Sequence, residues 1–122
     1  MHTFIAPGAI VLGDVTLGED VGIWYHATVR GDRAPIVIGE RSNIQDNAVV
    51  HVDAEHKVII GKSCIVGAGA LVAQNAQIPD NSLVLGNSAK IKREVTEEEI
   101  ASSLRNAESY VEEAWQMREN GC

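Results

Sequence analysis

A β-branched aliphatic residue recurs at every sixth position of this chain, and that period narrows the fold before any other feature does. Steps of six from Ile5 give Ile5, Val11, Leu17, Ile23 and Val29. After three extra residues they give Ile38, Ile44 and Val50, and after four more Ile60, Val66, Val72, Ile78 and Val84. All but Leu17 are isoleucine or valine. Four places on comes a small or β-branched residue: Ala9, Val15, Val21, Ala27, Ser42, Ala48, Ala54, Cys64, Ala70, Ala76, Ser82 and Ser88, with Arg33 beside the first insertion breaking the run. An amphipathic helix repeats every ~3.6 residues and a half-buried strand every two, so neither accounts for a sustained period of six. A parallel β-helix does, because each hexad supplies one short strand and a corner, with the aliphatic residue pointing into a narrow core. Three hexads close one coil, so thirteen make about four coils, a prism roughly 20 Å tall at ~4.8 Å between stacked strands. A β-sandwich would instead show two-residue alternation and regular turn signals.

The period changes near Ala89. Lys90 to Arg93 read as a basic link, and Thr96 with Glu99 three residues later reads as a capping box. Beyond it Ile100, Leu104, Ala107, Val111 and Ala114 fall on one helical stripe, with Tyr110 and Trp115 near it. The expected organisation is a β-helix over 1–93 and a helix over 94–122, running to about Arg118, whose stripe packs on the prism wall. Charge divides in the same way: of a net −7, the segment 94–122 carries −6, with eight acids against Arg105 and Arg118. That balance excludes nucleic acid as a partner, since phosphate binding needs a basic face. No apolar run approaches the ~20 residues of a membrane span, and MHTFIAPGAIVLGD lacks the features of a secretory signal. A cytoplasmic location is expected. Cys64 and Cys122, with no CxxC spacing, give neither a disulfide framework nor a zinc ribbon, and Cys64 falls in a small inward slot.

The stretches IWYHATVRGD (23–32), IGERSNIQDNAVVHVD (38–53) and IPDNSLVLGNSAKIKREVTEEE (78–99) resemble the γ-carbonic anhydrase-like family of hexapeptide-repeat proteins. The resemblance runs through nearly the whole chain. It implies a left-handed β-helix with a C-terminal helix alongside, a homotrimer, and zinc held by three histidines between subunits. In the family these come from an element like VHV, which supplies His51 here, and from a segment like GHxxxxHG, which is absent. By resemblance, Arg30 and Asp32 correspond to an intersubunit pair, and Gln45 and Asp46 to catalytic, site-lining residues.

Hexads counted in threes place Leu12, Arg30, His51 and Ala73 on one ladder. VGAGALVAQ overlays the family segment with Ala68 and Ala73 at the two remaining ligand places, and alanine ligates nothing. Family members of usual length carry about two more coils. The expectation is therefore a trimer whose zinc site is dismantled, with no cofactor, or with zinc if any metal is held. One alternative is an active carbonic anhydrase with a metal site rearranged around His51, His56 and a neighbouring chain's His26. Another is a hexapeptide acyltransferase using an intersubunit cleft, with His26 or His51 as general base. No long arm is present to cover a pantetheine chain, and Trp24 and Tyr25, near a corner, read as residues that pack between subunits or else floor a pocket.

Overall fold

The fold is seen in a computed structural model that describes residues 3–119, with side chains through Ser109 apart from Ala107. In chain order its elements are β1 (Phe4–Ile5), β2 (Ile10–Leu17), β3 (Gly22–Ile23), β4 (Thr28–Ile38), β5 (Asn43–Ile44) and β6 (Val49–His51). There follow β7 (Val58–Ile60), β8 (Ile65–Val66), β9 (Leu71–Val72), β10 (Gln77–Ile78), β11 (Ser82–Leu85), β12 (Lys90–Glu94) and the helix α1 (Glu97–Glu119). Each coil of a left-handed parallel β-helix contributes one strand to each of three walls. The first wall stacks β1, β3, β5, β8 and β11, with Ile5, Ile23, Ile44, Val66 and Val84 in register. The second aligns Val11, Val29, Val50 and Val72, and the third Leu17, Ile38, Ile60 and Ile78. β2 and β4 are long because each continues round a corner from the second wall to the third.

The core is the inside of this prism. Ile23, Val29, Ile38, Ile44, Val50, Ile60, Val66, Val72 and Val84 are buried. Val11, Leu17 and Ile78, in the outermost coils, pack on the same cluster while partly exposed. Ile5 keeps the inward phase opposite Ile23 but is 49% exposed, since no described coil stacks beyond it. Two of the small slots also depart from the count. Ala54 is exposed in the four-residue insertion, where Val58 takes the inward place, and Ser88 is exposed beyond the last hexad. The three-residue insertion resolves likewise: Val15, Ile36 and Val58 form one ladder, so the inward phase resumes just before Ile38. Ser42 occupies an inward slot without cost because its Oγ donates to the Gly61 carbonyl at 2.7 Å and accepts from the Cys64 amide at 3.0 Å.

The corners repeat as regularly as the walls. Three places after the inward residue stand Gly8, Asp20, His26, Arg41, Asn47, Ser63, Gly69, Asn75 and Asn81, all at positive φ. Left-handed backbone favours Gly, Asn, Asp and His over other residues, and most of these corners comply. Gly8 answers a second demand, since a Cβ there would lie 2.7 Å from the His26 ring.

The basic link is a strand. β12 runs antiparallel to β11, pairing Leu85 with Lys90 and Ser82 with Glu94, and covers the free edge of the first wall. The capping box forms as expected: the Glu99 amide donates to Thr96 Oγ1 at 3.1 Å and the Thr96 amide to Glu99 Oε1 at 3.0 Å. Arg93 adds a two-pronged ion pair to the Glu99 carboxylate at 2.7 and 3.0 Å. Ile100 and Leu104 of the expected apolar stripe are half-buried, whereas Ala107, Tyr110, Val111, Ala114 and Trp115 lie outside the described side chains. Among the described residues no helix is long and apolar enough to cross a membrane.

Two outcomes follow. Ile44→Ala, at a fully buried rung, should cost roughly 2–5 kcal/mol in chemical denaturation. Ile5→Ala should cost far less, and equal losses would mean that the inward register is misassigned. The Arg93 guanidinium, with the Thr96 amide, lowers the Glu99 pKa from its ordinary 4.5 to about 2. The clamp therefore stabilises the helix fully above pH 4.5 and is lost as pH falls to about 2. Helix content by circular dichroism should exceed that of Glu99→Gln above this window and converge with it below, and parallel acid titrations would contradict the clamp.

Candidate functional site

Two groups of outward residues bear on function, and the same stacking positions both. On the second wall, residues following the inward valines project from the prism, and Leu12, Arg30 and His51 lie in direct register. Val50 pairs with Val72, so the place after Val72, Ala73, continues the ladder above His51. His51 is half-buried. Arg30 Nη2 donates to Asp32 Oδ2 at 2.9 Å within the same chain, and that hydrogen bond holds the Asp32 carboxyl below the usual carboxylate range.

Two further histidines, His26 and His56, stand apart from this ladder. His26 is an exposed corner residue whose ring lies over Gly8. His56 sits in the exposed insertion, where its Nδ1 is 3.0 Å from Asp53 Oδ1. Asp53 also accepts the Glu55 and His56 amides, and the Glu55 amide is the first cause of its lowered pKa. Among the described residues of one chain no three His, Cys, Asp or Glu side chains converge as metal ligands. The donor set on the ladder is thus one imidazole between an arginine and an alanine, which does not fit the three protein ligands of a catalytic zinc. Cys64 is buried in the core, its thiol pKa pushed up by burial, with Sγ 3.2 Å from the Pro79 carbonyl.

The second group lines a cleft of about 560 Å³ between the first wall and α1. The prism contributes Trp24, Asn43, Gln45, Asp46 and Ala68, and the helix Ser103, Asn106 and Ser109. Stacking accounts for the prism side: the Trp24 amide donates to the Ile44 carbonyl and the Gln45 amide to the Val66 carbonyl, so the residues that follow the inward rungs line up at one corner. Trp24 is held between the Phe4 ring, with centroids 5.0 Å apart, and Asn43, whose Oδ1 accepts from its Nε1. Asn43 is buried, in a place where Gly22 leaves room: a Cβ on that glycine would come 3.1 Å from Asn43 Oδ1.

The structure thus brings Gln45, Asp46 and Ala68 together in the cleft and leaves Arg30, Asp32 and His51 on the second wall. Trp24, for which packing and a pocket floor were the two expectations, both packs on Phe4 and lines the cleft. Asn43, Ser103, Asn106 and Ser109 were not legible as lining residues. An asparagine in a buried outward slot was the one available signal, while the helix residues depend on how α1 lies over the wall.

No family model matches the chain. A protein of Methanocaldococcus jannaschii named a probable carbonic anhydrase is 41% identical over 88% of this chain and 89% of its own length. A carbonic anhydrase of Geobacillus kaustophilus is 35% identical over 98% of this chain and 87% of its own. The crystal structure of a hexapeptide transferase family protein from Anaplasma phagocytophilum is 33% identical, with a TM-score of 0.50, over 89% of this chain and 85% of that one. The alignment with the Geobacillus protein runs to 159 positions against 122 residues here, so at least the difference, 37, have no counterpart in this chain. One coil takes 18 residues, from Ile5 to Ile23, so the difference corresponds to about two coils.

Proposed function

We propose, for a chain that belongs to the γ-carbonic anhydrase-like family of hexapeptide-repeat proteins, that it assembles as a homotrimer in which zinc-dependent CO2 hydration is lost or strongly impaired. The observation that carries this reading is the register of the second wall, with His51 on the ladder and Ala73 in the place above it. A catalytic zinc takes three protein ligands at about 2.0–2.2 Å and keeps a fourth position for water. One imidazole does not supply that set. A histidine at 73 would stand one coil step from His51, and one at 68 would come from an adjoining copy. Ala68 is exposed beside Gln45 and Asp46, so the side chains expected around such a site persist where its ligands do not.

Trimerisation draws support from the outer face of the second wall. Ile10 and Leu12 are 50% and 41% exposed, and on the Ile10 ladder, beyond Thr28, Val49 and Leu71 are half-buried on the same outer face. A thin prism gains by covering such a face with copies of itself. Sedimentation at micromolar concentration should give the mass of three chains, and a stable monomer would refute the assembly. Arg30→Ala should weaken the trimer, since the family resemblance gives Arg30 and Asp32 as an intersubunit pair in addition to their 2.9 Å contact within one chain.

A rearranged zinc site is disfavoured because His56 is engaged by Asp53 and His26 is committed to a corner. An acyltransferase reading draws on the hexapeptide transferase relative. Against it, the one charged residue among the described residues lining the cleft is Asp46, which would repel the phosphates of a CoA thioester. Thermal stabilisation by such a thioester would restore that reading.

The decisive test puts the ligands back. The parent protein, dialysed against zinc, should retain far less than one equivalent per chain and show negligible CO2 hydration. Ala68→His with Ala73→His should raise zinc affinity by orders of magnitude, with activity lagging because the groups that orient the ligands were not rebuilt. A double variant that trimerises normally yet binds no more zinc than the parent would overturn the ladder assignment.

A further inference from the structure

We draw no further inference here: the strongest candidate, the largely apolar cavity of about 320 Å³ at the end of the prism where Val72, Ala76 and Ile78 meet the turn carrying Ser88 and Ala89, is an uncapped end of the second and third walls, and nothing in the structure shows what covers it.

Discussion

Everything in this molecule depends on one constraint, the vertical stacking of inward aliphatic side chains at a repeat of 18 residues per coil, lengthened only where the two insertions fall. A triangular prism has a narrow interior, so each coil can place little more than one branched residue per wall, with small ones toward the corners. Isoleucine and valine satisfy this because a β-branched side chain has few rotamers to lose and favours extended backbone. Once the inward rung is fixed, the residue before it and the residue after it must point outward. The outer surface therefore carries its own ladders, which the core specifies although they contribute nothing to it.

Those outward ladders are where chemistry can be written, and their separation explains how one part of a site can vanish while another survives. His51 follows an inward valine of the second wall, whereas Trp24 and Gln45 follow inward isoleucines of the first. Whole coils can be lost without changing the phase of what remains, because a coil is added or removed as a unit. At least 37 aligned positions of the Geobacillus relative are absent here, close to twice the coil length, and the three ladders nonetheless run in register from Ile5 to Val84. The insertions after Val29 and Val50 obey the same rule: they bulge outward, and Ile36 and Val58 resume the inward phase.

What could be read from the sequence follows the same division. The inward residues and the three walls were legible because they repeat, and the helix start was legible because Thr96 and Glu99 form a local pair that needs no distant partner. Ile5 shows where periodicity fails as a guide to burial, since phase says which way a side chain points but not whether another coil lies beyond it. Ala54 shows that a count carried through an insertion loses its meaning. His26 holds a corner whose equivalents are Gly, Asn and Asp, a pattern the sequence itself carries. Ser103, Asn106 and Ser109 were out of reach, because their position depends on how α1 lies over the prism, which no repeat encodes.

The helix also changes what the prism can do electrostatically. The body of the chain is close to neutral and its outer ladders mix aliphatic, amide and paired ionic groups, so alone it presents no strong field. Fastening a helix beside it through Arg93 and Glu99 creates a space lined, among the described residues, by the Asp46 carboxylate and by hydrogen-bonding groups from both sides. A polar helix side chain over a polar corner gains little from contact, because each group keeps nearly equivalent hydrogen bonds with water. The helix start is fastened by the clamp, Ile100 and Leu104 are half-buried just beyond it, and polar side chains from both sides line the cleft.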